Sequence, residues 1–203
     1  MSGETDLVRL PLFPLRTVLF PGGPLQLRIF EARYLDMVSL CLREDRGFGV
    51  CLIRQGSEVG EPAEPHAVGT VARIVDWDKR PDGLLGLTAV GERRFRIRHR
   101  EPGGKGLTWA WVELLEAGPP VQLPEQAAAV TEMLDQIMAL PGTGYDRTPP
   151  RNDRDADWLS CRLAEILPLR LDDRQRLLVM DDPLHRLQAL SPLIPALRLP
   201  DAD

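Results

Sequence analysis

Four strings in this sequence come close to known chemistry, and each lacks a part that its chemistry needs. Gly103-Gly104-Lys105-Gly106 resembles the end of a phosphate loop, in which amides and a lysine cradle phosphates and a following Ser or Thr ligates magnesium. Both the upstream glycine and the hydroxyl residue are missing here. Asp153, Asp155 and Asp157 match the start of a calcium loop, but Trp158 stands where its glycine is required and Ala164 where its final glutamate belongs. Acid at a helix N-terminus, favoured by the helix dipole, accounts for that run better. Gly56-Ser57-Glu58-Val59-Gly60 is not the G-x-S-x-G of a nucleophile elbow. Lys79 and Lys105, the only lysines, are not paired recognisably with a serine nucleophile. His66, His99 and His185 are far apart, and Cys41, Cys51 and Cys161 contain no C-x-x-C. Neither zinc nor a disulfide framework is expected. The reading is of a chain without catalytic, metal or cofactor-binding residues.

Residues suited to binding are easier to find. "ERRFRIRHR" sets Arg94, Arg96, Arg98 and Arg100 on one face of a strand, opposite Phe95 and Ile97. Such a stripe is either a solvated strand face or a contact for phosphates, which makes RNA binding through Arg93–Arg100 the alternative function. Against it, the chain carries 25 basic and 30 acidic residues, a net charge of −5, and no aromatic platform accompanies the stripe. Trp109 and Trp111 are two apart on a strand; with Trp77 they form either an apolar platform for an extended peptide or a packed seal. Glu31 and Arg33 are either a pair bracing a helix or an exposed contact point.

The elements that position these residues fall into two halves. Residues 1–118 read as mostly strand: Leu25–Ile29, Phe48–Ile53, Gly69–Trp77, Leu84–Val90, Arg93–Arg100 and Leu107–Leu115. Pro81-Asp82-Gly83 predicts a hairpin turn. One helix, Glu31 to Arg43, has Tyr34, Leu35, Val38, Cys41 and Leu42 on its apolar face and Arg33 turned away, with Gly47 near its C-terminal cap. Pro11, Pro14, Pro21 and Pro24 predict short strands joined by rigid bends, with Gly22-Gly23 reversing the chain. Residues 119–203 read as helical. Pro124 opens a helix with Ala127, Val130, Leu134, Ile137 and Met138 on one stripe. A second begins near Asp155 and carries Trp158, Leu159, Leu163, Ile166 and Leu167. Asp172-Asp173 and Asp181-Asp182-Pro183 are placed to cap two more. Pro141 to Asn152 reads as a mobile loop.

"LPLFPLRTVLFPGGPLQLRIFEARYLDMV" resembles the opening of the Lon protease N-terminal (substrate-binding) domain family. The resemblance continues in order through "GFGVCLI", "VGTVARIVDW", "DGLLGLTAVGERRFRI" and "DWLSCRLAEILPLRLDDRQRLLVMDDPLHRLQAL". It implies an α+β fold, a PUA-like β-barrel followed by an α-helical bundle, in keeping with the two halves read from pattern. A protease of that family also needs an ATPase module and a serine–lysine dyad, and neither is recognisable. The resemblance therefore implies a stand-alone Lon-like protein, not itself an enzyme, that binds unfolded or exposed polypeptide segments or a protease or chaperone partner. No secretory signal and no run of about 18 apolar residues is present, so a cytoplasmic location without membrane contact is expected.

Overall fold

A computed structural model describes residues 6–60, 62–123, 127–148 and 155–196. The proline-rich opening forms one nine-residue strand, β1 (Leu7–Leu15), where short strands and bends were expected. It pairs antiparallel with β7 (Thr108–Leu114) through Pro11, then parallel with β3 (Phe48–Gln55) from Leu12 onward. Pro11, which has no N–H to give, falls where the strand changes partner. The remaining strands are β2 (Pro24–Ile29), β4 (Glu64–Pro65), β5 (Val68–Lys79) and β6 (Leu85–Pro102). The ladder runs β1–β7–β6–β5–β3 and returns to β1, with β2 beside the first half of β6 and β4 beside β3.

β6 spans what the sequence divided into two strands. Gly91 at the division does not turn; its carbonyl accepts from Gly22 N at 2.7 Å and its N–H donates to Gly23 O at 2.9 Å. A Cβ there would lie 2.2 Å from the Phe20 carbonyl oxygen, so only glycine allows this approach. The Pro81-Asp82-Gly83 turn forms as read, with Gly83 at φ 83°.

Helix α1 (Ala32–Arg43) follows Glu31, but its buried face is Arg33, Tyr34, Met37, Val38 and Cys41. Leu35 and Leu42 are exposed, so the apolar phase is rotated from the expected one. The left-handed residue after α1 is Asp45, at φ 47°, not Gly47. Gly47 is glycine for another reason: a Cβ would meet Val71 Cγ1 at 2.7 Å.

The helical half comprises α2 (Ala128–Met138), α3 (Ala156–Ile166), α4 (Leu171–Val179) and α5 (Pro183–Leu190). Asp155 caps α3, accepting from Trp158 N at 2.9 Å, and Asp182 caps α5, accepting from Leu184 N at 2.9 Å. Asp172 and Asp173 lie inside the first turn of α4, whose N-cap is Arg170. Pro124 and Asp153 lie outside the described residues. Among the described residues, no helix is long and apolar enough to cross a membrane.

Three apolar clusters hold these layers. Leu10, Leu12, Cys51, Val71, Phe95, Ala110 and Val112 draw on all five strands of the ring. A second cluster seats α1 on the sheet, with the Phe13 and Tyr34 rings stacked at 3.9 Å between centroids. The third joins Val18, Phe20, Leu52 and Val68 to Leu134, Leu159, Leu163, Leu177 and Leu190, so the helices share a core with the strand half. Burial of this apolar surface supplies the main driving force, at roughly 25 cal/mol per Å².

Candidate functional site

The seam between the sheet and the helices holds a cleft of about 840 Å³. Val75, Val90, Leu115, Val121, Met138 and Trp158 give it apolar walls, interrupted by charged side chains. Most of those charges are bound to one another. Arg73 Nε donates to Glu92 at 2.6 Å, Arg93 to Glu116 at 2.9 Å, and Arg94 to Asp181 at 2.8 Å. Arg94 also donates to the carbonyls of Leu178 and Met180, which ties β6 to the turn between α4 and α5.

Two buried arginines organise the helices around this cleft. Arg162 on α3 is 2% exposed and donates through Nη2 to the Pro21 carbonyl and to Glu165 Oε1, each at 2.8 Å. The Tyr145 hydroxyl donates to Glu165 Oε2 at 2.6 Å, and burial beside that carboxylate pushes its pKa upward. Arg186 on α5 reaches Asp157 Oδ1 at 2.8 Å, Ser160 Oγ at 2.9 Å and the Leu177 carbonyl at 3.0 Å. Asp157 thus serves a buried arginine and Asp155 a helix cap. Buried charge of this kind is retained only where it is paired.

The described part of the 141–152 loop is packed, not free. A 3₁₀ turn at Tyr145–Arg147 lets Tyr145 reach α3, while Arg147 Nη1 donates to Asp76 Oδ2 on β5 at 2.5 Å. Gly144, at φ 83°, approaches Pro24 and Gln26 of β2. This strap bridges sheet and helices along one wall of the cleft.

The residues singled out from sequence fall in separate places. Arg33 is buried against α1, where it pairs with Glu31 at 2.9 Å, donates to the Gly106 carbonyl at 3.3 Å and lies over the Tyr34 ring. That pair braces the helix start against the glycine loop. Trp77 pairs in register with Leu87, near the start of β6, whereas Trp109 pairs with Glu101 near its end. Trp109 is partly buried under the guanidinium of Arg9, 4.2 Å from its centroid, and Trp111 is exposed. The arginine stripe does not share one face. A bulge between Ile97 and His99 sets Arg96 opposite Glu113 and Arg100 opposite Ala110, three residues apart on β7 and so on opposite faces. Arg98 is bonded to Glu113, and Arg100 lies 3.9 Å from Glu64.

All three cysteines are buried, and burial pushes the Cys41 thiol up to about 11 and the Cys161 thiol up to about 12. Neither is poised as a nucleophile at neutral pH.

Sequence reasoning missed Arg162, Arg186, Tyr145 and Glu165. A signal existed for the first: Arg162 lies four residues after Trp158, inside the apolar stripe of α3. An arginine on a buried phase must find acceptors nearby.

These features define a mixed α+β fold, a sheet-rich half and a helical half on a shared core, in which charged groups satisfy one another and an apolar cleft opens at the seam. The profile of the ATP-dependent protease La (LON) substrate-binding domain matches residues 9–195, and the chain belongs to that family. It is 28% identical to the Lon protease of Cytophaga hutchinsonii over 185 residues, 87% of this chain and 23% of that protein. Against the Lon protease of Escherichia coli it is 26% identical over 200 residues, 92% of this chain and 24% of that protein. The chain thus spans about a quarter of the length of these curated relatives. The crystal structure of a Lon N-terminal domain protein from Xanthomonas campestris is 38% identical, with a TM-score of 0.73 over 91% of this chain and 98% of that one. The N-terminal domain of the Mycobacterium avium complex Lon protease shares the fold at 16% identity, with a TM-score of 0.59, over 93% of this chain and 98% of that one.

Proposed function

We propose that this chain recognises unfolded or exposed polypeptide segments without cleaving them, as a Lon-type substrate-recognition or adaptor module in protein quality control. The observation that carries this reading is the match of residues 9–195 to a domain defined by substrate binding. The strand ring is read here as a PUA-like pseudobarrel, and the seam cleft as part of the recognition surface. Its apolar walls suit side chains that a folded client would bury, and its internally paired charges limit electrostatic selectivity. A Lon protease is the partner class to which such a module would pass its client. Arg94, Arg98 and Arg100 of β6 are engaged by Asp181, Glu113 and Glu64, which weakens their pull on phosphate.

The test is fluorescence anisotropy of a labelled, permanently unfolded polypeptide titrated with this chain at two salt concentrations, beside an RNA of equal length. Saturable polypeptide binding that survives high salt is expected. Binding of RNA alone, collapsing as salt rises, would overturn the reading in favour of the arginine strand.

A further inference from the structure

The two edges of β5 are used unequally. On one side it runs beside β6 along its length, from Val68 opposite Arg96 to Lys79 opposite Leu85. On the other side β3 pairs only with Thr70, Val71 and Ala72. Among the described residues, no strand lies beside Arg73 to Lys79 on that edge. An unpaired edge offers N–H and C=O groups to another extended chain. Here a bulge between Ile74 and Asp76 interrupts the row, and the Trp77 N–H donates to Asp76 Oδ1 at 2.9 Å, a bond that an added strand would replace.

The register with β6 shows what each face of that edge offers. Ile74 pairs with Ala89 and Trp77 with Leu87, so both belong to the face covered by α1 and its core. Ile74, Leu27 and Leu85 form the partly buried rim of that core, and Trp77 projects beyond it at 57% exposure. Asp76 pairs with Thr88 and Asp78 with Gly86, which places both acids on the opposite face. Arg73, at the head of the edge, is already held by Glu92 and Asp45. One basic group from outside the sheet is seated on the acidic face: Arg147, which donates to Asp76.

We propose that an extended polypeptide segment with alternating apolar and basic side chains adds to β5 as a further strand beside residues 73–79. Its apolar side chains lie towards Ile74 and Trp77, and its basic ones towards Asp76 and Asp78. Arg147 already makes with its own chain the contact that a basic side chain of the client would make. Main-chain hydrogen bonds supply the attachment, and the two faces supply the selection. This inference rests on the reading of the chain as a polypeptide-recognition module and specifies where and what it recognises.

The test is anisotropy with the whole chain and four labelled peptides of one length. They are alternating Val/Lys, alternating Val/Glu, the Val/Lys composition in two blocks, and alternating Val/Lys with every second backbone amide N-methylated. The permanently unfolded polypeptide is run beside them. Alternating Val/Lys is expected to bind at least about fivefold tighter than Val/Glu, as several cross-strand pairs of a few tenths of a kcal/mol imply. N-methylation of the amides that face β5 should abolish that binding. Trp77→Ser, at an exposed site, should weaken Val/Lys binding, and Asp76→Asn with Asp78→Asn should erase the preference over Val/Glu. Binding of the methylated or the blocked peptide as tight as that of alternating Val/Lys would overturn the edge proposal, as would failure of Val/Lys to bind while the unfolded polypeptide does. Failure of every polypeptide to bind would overturn both this proposal and the recognition reading.

Discussion

Glu165 and Gly23 meet across the seam: a Cβ on Gly23 would fall 1.9 Å from Glu165 Oε1. The same carboxylate receives the Tyr145 hydroxyl on its other oxygen and pairs with Arg162, which also holds the Pro21 carbonyl. The Pro21–Gly23 turn, the strap at 141–148 and α3 therefore converge on one side chain. The floor of the cleft is set by this convergence, because each of the three segments contributes a cleft wall.

Gly23→Ala tests that contact. The added methyl cannot be accommodated without displacing a carboxylate that Arg162 and Tyr145 both hold, so overpacking should cost about 1–3 kcal/mol. Gly118→Ala is the control, since its Cβ would meet nothing within 4 Å. Urea unfolding should show a lowered midpoint for Gly23→Ala and little change for Gly118→Ala. Equal midpoints would mean that the seam adjusts freely.

Arg186→Met examines the second buried arginine. The substitution keeps an apolar stem but takes the guanidinium away from Asp157 and Ser160 and removes one donor each from the Leu177 and Met180 carbonyls. Breaking a buried pair in this way typically costs about 3–5 kcal/mol. Arg93→Ala removes an exposed partner of an almost fully exposed Glu116, a pair worth about 0–1 kcal/mol. The difference between the two variants in chemical denaturation should be several-fold, with the larger loss at Arg186.

The thiols provide a reading of local opening. With Cys41 near 11 and Cys161 near 12 and both buried, almost no thiolate is present at pH 8 in the folded chain. Labelling by a disulfide reagent at pH 8 should be slow in buffer and rapid in denaturant. Raising the pH from 7 to 9 should accelerate native-state labelling by about 100-fold, because thiols held near 11 and 12 gain thiolate in proportion to hydroxide over that range. Labelling of the unfolded chain should accelerate by only about 25-fold, because a free thiol is already mostly ionised at pH 9. Fast stoichiometric labelling of native protein would show that the shared core opens readily.

Much of the fold was legible because periodicity reports one-sided burial. The strands β2, β3, β5 and β7, the two stretches that join into β6, the cap at Asp182 and the Gly83 turn follow from local pattern and turn chemistry, while the two-residue β4 was not read. What escaped was set by partners distant in sequence. Nothing local tells that Pro11 stands where β1 exchanges β7 for β3, or that Gly91 continues a strand because Phe20 passes behind it. The phase of α1 was misread for the same reason. Arg33 is buried because the Gly106 and Glu58 carbonyls reach its guanidinium from two loops, and a hydropathy pattern counts it as polar. The arginine stripe failed at a bulge, which breaks the alternation that put four side chains on one face. Of the candidate peptide-contact residues, Trp77 gained a specific setting, on an edge whose openness is visible only once β3 is seen to stop at Ala72.

Arg147→Ala separates the strap from the open edge of β5. Arg147 is 54% exposed on its side chain and Asp76 45%, so their ion pair contributes about 0–1 kcal/mol and its loss should leave the unfolding midpoint nearly unchanged. The effect should appear in binding instead. With Arg147 gone, Asp76 is released to a basic side chain of an added strand, and the alternating Val/Lys peptide should bind tighter by up to about fivefold, the equivalent of that pair. The Val/Glu peptide should gain nothing, because the freed carboxylate repels it. Titration of both peptides against the wild-type and Arg147→Ala chains checks this directly. Equal gains for the two peptides would mean that the strap blocks the edge sterically, and a loss for Val/Lys would mean that Arg147 itself contacts the client.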